Sequence, residues 1–419
     1  MPSSNSHSRL KLIAIGFNTY GTGLTRVMHS IMRRLADRHE IHYLGIGYSG
    51  ETIQDRGLTI HPTNPKGGDV FAVFQAKRLI EEINPDIVFI LHDIWMFELY
   101  LKILGPYRDR LKIVAYIPLD GKIIDEENAA SLEDADSVVV YTHFARKEFE
   151  GAFARLREKR GKGEFPAVDV IPHGIDAALF HPLPELQRAS FASVGRTEAK
   201  RKVFGDFPGI EESFILLNAS RPDKRKRVDI TIAGFAEFAA DKPPNVRLCL
   251  HHAIMGQPEQ DEIDSLVRRF GLEARLHLNP LGSGIADDDK LNLLFNACDV
   301  GINTSMGEGW GLVSFEHAGA GAAQIVPEHS ACEDLWRGRA ELIPTAKRYI
   351  PDFSVLEFGE VSPEGVAQAL NNLYHNPVRH QQLAHAAFEN AHKLEYSWNA
   401  IPDRFHDLFI QLAHPERTE

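Results

Sequence analysis

Two glutamates stand out in the stretch "TSMGEGWGLVSFEHAGAGAAQIVP": Glu308, framed by Gly307 and Gly309, and Glu316, with seven residues between them. Glycines at 307, 309 and 311 end the apolar run before them and let the backbone approach a ligand closely. A helix beginning near Gly311 or Leu312 then carries Glu316 in its first turn or just beyond, with an amide end able to receive phosphate. Carboxylates so placed accept charge-assisted hydrogen bonds from hydroxyl groups on either side of a bound diphosphate, which is the pattern of a nucleotide sugar. Taken singly, Glu316 reads equally as an acid supporting its own helix, and Glu308 as a plain loop acid.

A second loop, "NASRPDKRKRVDITIAGF", gathers Arg221, Lys224, Arg225, Lys226 and Arg227 just before a helical stretch. Cations at a helix N-terminus oppose the macrodipole, so this arrangement calls for an anion. The plainer reading is a solvated basic turn or a nucleic-acid patch. A third loop, "GFNTYGTGLTR", sets Gly21 and Gly23 between a strand and a helix, where backbone can approach a ligand. It is not a full dinucleotide fingerprint, and a tight strand-to-helix turn explains it as well.

These loops need strands to hold them. Short runs rich in Ile, Val and Leu ("LKLIAIGF", "IHYLGIG", "DIVFIL", "LKIVAYI", "SVVVY", "VDVIP") alternate with amphipathic stretches, the rhythm of a parallel α/β sheet buried on both faces. The rhythm weakens from Leu183 to about Glu212, which reads as an interdomain connection, and restarts with "FILLNAS", "VRLCLHH", "RLHLNP", "DVGINTS" and "AAQIVP". The expected fold is therefore α/β, two doubly wound Rossmann-like units facing a cleft. Residues 1–182 form the first and residues 183–395 the second, with the terminal helix 396–419 joined to the first.

Ligands of such sheets bind outside the carboxyl ends of the strands, which is where all three loops lie.

Composition narrows the function classes. With 419 residues, 43% hydrophobic and 25% charged, the chain has enough apolar sequence for two cores and the make-up of an ordinary globular protein. A net charge of -12 argues against duplex nucleic acid as the main partner. Cys249, Cys298 and Cys332 are odd in number and lack metal-ligand spacing, as expected in a reducing cytoplasm. "MPSSNSHSRLKLIAIGF" lacks the pattern of a signal peptide, and "DIVFILHDIWMFELYLKIL" is broken by Asp93, Glu98 and Lys102, so peripheral membrane contact is the most to expect. The basic run "RLREKRGKG" reads as a solvated loop, with anionic lipid as the other reading.

On these motifs the sequence resembles the retaining nucleotide-sugar glycosyltransferases of family 4, which have the GT-B fold, over nearly its whole length. "EGWGLVSFE" matches the family's paired glutamates, "RPDKRKRVD" its arginine and lysine pair, and "VDVIPHGIDAALFHPL" its segment closing the first domain. His173 stands where asparagine is commoner, and Arg227 where glycine is usual. The resemblance implies that Arg221 and Lys226 neutralise the donor diphosphate, that Glu316 holds the ribose hydroxyls and that Glu308 holds the donor sugar. It extends the donor-binding set to Gly309, Trp310, Gly311 and Leu312, and to Gly21 and Gly23 in the first domain. Many relatives carry a histidine after the fourth strand. Here "VAYIPLDGKI" offers Asp120 instead, with His92 and Asp93 of "FILHDIW" as rivals.

The expected activity is transfer of a sugar from a nucleoside-diphosphate sugar to a hydroxyl acceptor, saccharide, lipid-linked or small, with retention. Front-face attack assisted by the leaving phosphate fits better than a carboxylate nucleophile, because both glutamates are committed to donor hydroxyls. No motif requires a metal or another cofactor, since Arg221 and Lys226 balance the diphosphate. The alternative is a nucleotide-sugar sensor or an inactive subunit on the same fold. A sugar phosphorylase would need a cofactor-bearing lysine site, and none is evident.

Overall fold

The computed structural model describes residues 9–415 except 64, 162, 206, 253, 254, 283 and 353. The chain divides into two compact units: Met1–Leu119 with Ile123–His173 and Trp398–Glu419, and Gly174–Ser397 with the short piece Asp120–Lys122.

The first unit is built on an eight-stranded sheet. Its order is Ile53–Asp55, Leu58–Pro62, Glu40–Ile46, Lys11–Phe17, Ile87–Leu91, Lys112–Ile117, Ser137–Val140, Val168–Val170. All neighbours pair in parallel except the edge strand Ile53–Asp55. Ile87–Leu91 is buried at every position, as a central parallel strand covered on both faces must be. The helix Ile401–Ala413 returns to this unit because Phe405 and Phe409 pack against Phe89, at ring separations of 5.4 and 6.0 Å.

The second unit has a six-stranded parallel sheet in the order Leu276–Leu278, Val246–Leu250, Phe214–Asn218, Val300–Ile302, Ala323–Pro327, Glu341–Ile343. Chain order reverses between Lys11–Phe17 and Ile87–Leu91 in the first sheet, and between Phe214–Asn218 and Val300–Ile302 in the second. Each reversal is a topological switch point, where two neighbouring loops part and open a crevice.

The stretch 183–212, expected as a connection, is instead part of the second unit. Two of its cations point inward and find partners there. Arg196 donates to the carbonyls of Asn296 and Gly321, and Lys200 lies 3.0 Å from Asp299, all three side chains being almost wholly buried. Leu186 and Phe191 join the apolar core beside them. The passage between units accordingly comes after His173, ahead of Pro182, because Phe180 packs with Ile215, Leu217 and Phe295. Among the described residues no helix is long and apolar enough to cross a membrane.

Candidate functional site

At the switch point of the second unit, the loops after Phe214–Asn218 and Val300–Ile302 are tied to each other. Asn218 accepts from the Ser220 amide at 3.0 Å and donates to Thr231 Oγ1 at 2.9 Å. Thr304 Oγ1 lies 2.8 Å from both Thr231 Oγ1 and the Arg227 carbonyl. The Met306 amide donates to the Arg225 carbonyl at 2.8 Å, and the Ser305 amide to Asn303 Oδ1 at 2.8 Å. Satisfied buried polar groups of this kind fix one loop geometry.

The ties bring opposite charges together. Lys226 Nζ donates to Glu308 Oε1 at 2.5 Å, and Asn303 Nδ2 donates to the same oxygen at 3.0 Å. Arg225 Nη1 lies 3.7 Å from Glu308 Oε2 and 3.3 Å from Asp120 Oδ2, and donates to the Gly307 carbonyl. Burial alone pushes the Glu308 carboxyl up, but Lys226 and Arg225 outweigh it and bring its pKa down to about 2. Glu308 is thus an anion held in a nearly dry place.

Glycine makes this packing possible. A Cβ on Gly307 would collide with the Asp120 carbonyl and the Phe358 ring. Gly311, at φ +89, turns the chain into the helix Leu312–Gly319. Glu316 is the fifth residue of that helix, just beyond the first turn as expected, and is 6% exposed, as is Glu308. The Trp310 ring is buried, stacked on Phe315 at 4.6 Å and edge-on to Tyr396 at 5.1 Å, so the side chain packs the interior.

Arg221 is not brought to Glu308 among the described contacts. Its side chain is 57% exposed, with Asp223 3.7 Å away. The cation that meets Glu308 beside Lys226 is Arg225, which sequence reasoning placed in the basic loop without a separate role. Asn303 and Ser305 were not legible as site residues; the one signal available was two polar residues directly following a buried strand. Asp120 clusters with the second unit, against Gly307 and Arg225.

Arg227 sits at φ 49 and ψ 48, the left-handed region, immediately before the helix Val228–Ala239. That conformation accounts for glycine being usual here. The arginine is held in it by a two-pronged bond to Asp229, at 2.9 and 2.8 Å, and an ion pair with Glu360. Arg227→Ala keeps the strain and loses the pairs, whereas Arg227→Gly loses both. The glycine variant is expected to be more stable than the alanine variant by about 1 kcal/mol in urea unfolding, and equal midpoints would count against strain at this position.

The remaining expected residues lie in the first unit, also at its switch point. Gly21 has φ +80, and Gly23 opens the helix Gly23–Leu35, which Thr22 caps by accepting from the Thr25 amide. His92 follows the neighbouring strand. It is buried among Phe17, Phe71, Trp95 and Tyr100, and burial lowers its pKa to about 4. Its Nδ1 accepts from the Asp93 amide at 2.8 Å, so the neutral ring carries its proton on Nε2.

No family model matches the chain, and no curated protein sequence does. It is similar to solved structures. Sucrose-phosphate synthase from Thermosynechococcus elongatus has a TM-score of 0.71 at 16% identity, over 96% of this chain and 99% of that one. HepE of Anabaena, in complex with UDP and glucose, gives 0.68 at 16%, with the same coverage. An alpha,alpha-trehalose 6-phosphate synthase from Burkholderia multivorans gives 0.67 at 14%, covering 98% of each chain. At these identities the shared feature is the fold, two Rossmann-like parallel-sheet units of the GT-B type.

Proposed function

We propose that the protein is a glycosyltransferase that moves a sugar from a nucleoside-diphosphate sugar to a hydroxyl acceptor, with retention and without a metal ion. The observation that carries this reading is the contact of Lys226 and Arg225 with Glu308 at the switch point of the second sheet. Cations for a diphosphate and a carboxylate for sugar hydroxyls occupy the place where such a sheet receives its ligand. The shared fold supports it, because HepE has that fold with UDP and glucose bound.

In this mechanism Lys226, with Arg221 reaching in from the exposed side, balances the diphosphate. The amide end of the helix Leu312–Gly319 adds partial positive charge. Glu316 receives the ribose hydroxyls and Glu308 those of the transferred sugar. Positioning and charge stabilisation supply most of the acceleration. Both carboxylates being committed to hydroxyls, the acceptor attacks from the face the diphosphate leaves, and the phosphate oxygen takes its proton. Asp120 is the candidate beside the transferred sugar, and Gly21, Gly23 and His92 are the candidates in the first unit. Three buried free cysteines fit a reducing compartment, the cytoplasm.

A panel of nucleoside diphosphates and their sugars, tested by thermal shift with a chelator present, checks the reading. A true ligand at a hundred times its dissociation constant adds about 2.7 kcal/mol. Glu316→Ala should weaken the bare nucleoside diphosphate by about 1–3 kcal/mol, the scale of a lost charged hydrogen bond. Absence of stabilisation by every member of the panel overturns the assignment. Binding without sugar release to any acceptor would make the protein a nucleotide-sugar sensor instead.

A further inference from the structure

We propose that Arg225 is a positioning residue: it keeps Glu308 ionised and in place while Lys226 changes partner, from Glu308 to the donor diphosphate. The inference rests on the reading above that Lys226 binds the diphosphate.

Lys226 cannot serve both anions as it stands. Its ammonium is 2.5 Å from Glu308 Oε1, and the two side chains are 12% and 8% exposed, so water does not screen the pair. An arriving diphosphate brings further negative charge close to Glu308. Without a second cation, withdrawal of Lys226 would leave a buried carboxylate beside that charge, a costly arrangement. Arg225 is the cation that stays. Its carbonyl accepts from the Met306 amide at 2.8 Å, and its guanidinium is anchored on the Gly307 carbonyl and Asp120, with Ser305 Oγ at 3.5 Å. From there it reaches Glu308 Oε2, the oxygen Lys226 does not use. These contacts converge on one guanidinium nitrogen, Nη1, whose hydrogen bond to the Gly307 carbonyl holds the charge between Asp120 and Glu308.

The exchange has an unusual consequence. Glu308 competes with the diphosphate for Lys226, so removing its charge should tighten binding of the bare nucleotide while transfer is lost. Calorimetry with the nucleoside diphosphate that binds best tests this on six variants. Glu308→Gln is expected to raise affinity roughly fivefold or more, the lower range of coupling between linked sites. Lys226→Ala should lower affinity, and Glu308→Gln added to it should give no gain. Arg225→Ala should lower affinity, and Glu308→Gln added to it should restore most of the loss. Arg225→Lys should keep part of the affinity but lose kcat.

The failures are distinguishable. If Lys226→Ala leaves affinity unchanged, the diphosphate assignment itself is wrong. If Lys226→Ala weakens binding but Glu308→Gln does not tighten it, the exchange is wrong. If Glu308→Gln fails to restore Arg225→Ala, Arg225 binds the nucleotide directly and its positioning role is overturned. Should Arg225→Ala not fold, Glu308→Gln and Arg225→Lys still decide the exchange.

Discussion

Acidification from neutral pH to about pH 5 is expected to unfold the protein, well before its carboxylates are protonated. Six histidines, His39, His92, His173, His251, His317 and His329, are each 3% exposed or less. Burial holds their pKa values at about 4, or about 3 for His173 and His317, against an ordinary 6.5. A group neutral in the fold and free to charge in the unfolded chain stabilises the fold above its unfolded pKa. That contribution is lost as pH falls through the window from 6.5 towards 4. At about pH 5 each of the six has cost roughly 2 kcal/mol, and with three in each unit that is roughly 6 kcal/mol per unit, against a typical stability of about 5–15 kcal/mol. Circular dichroism and tryptophan fluorescence followed from pH 7 downward should show a cooperative loss between about pH 6 and pH 5. A native signal persisting to pH 4 would mean that these rings are hydrated or can turn to water. Glu308, depressed to about 2, works in a lower window: its contribution is present above about 4.5 and lost only as pH falls towards 2.

Sequence reading reached the strands, and through them the site, because parallel strands buried on both faces leave an unbroken apolar signature. The runs around Ile15, Ile90, Leu216 and Ile302 are visible in that way. So is the start of the helix at Leu312, since Gly311 announces a left-handed turn. What lay beyond reach was the choice of partner. In "RPDKRKR" five cations share one loop, and which of them meets Glu308 depends on a single turn over Lys224–Lys226 followed by the left-handed Arg227. The resemblance assigned Arg221 to the diphosphate and gave Arg225 no separate role, and it is the backbone that brings Arg225 to Glu308. The stretch 183–212 misled for a related reason. Buried charges carry the same letters as solvated ones, and only the presence of Asp299, about a hundred residues further on, marks Arg196 and Lys200 as interior. Nor do the two glycines beside Trp310 show that its ring stacks on Phe315.

Asp299→Ala is expected to cost the fold about 3–5 kcal/mol, the penalty for stripping one partner from a buried ion network. Asp299 immediately precedes the strand Val300–Ile302, and its carboxylate accepts from the Ile215 amide at 2.9 Å and from Ser193. Its backbone amide donates to the Ile215 carbonyl, also at 2.9 Å. It therefore ties Val300–Ile302 to Phe214–Asn218, the two strands whose far ends carry the loops of the site. Lys200 lies 3.0 Å from it and Arg196 3.8 Å, with side-chain exposures of 0% and 1%. Removing the anion leaves two buried cations. Arg196 retains the carbonyls of Asn296 and Gly321, and Lys200 retains that of Ser213, but carbonyl dipoles do not replace a full charge. Asp299→Asn with Lys200→Met removes one charge of each sign and should recover most of the loss, as apolar replacement of a buried pair often does. Urea unfolding of the single and double variants measures both effects. A single variant with the wild-type midpoint would show that the network is wet, and a double variant as weak as the single would show that the loss comes from the strand tie to Ile215 and not from unpaired charge. In either functional variant the nucleoside diphosphate should bind as in the wild type once the unit is folded, because the network lies at the end of the strands opposite the site.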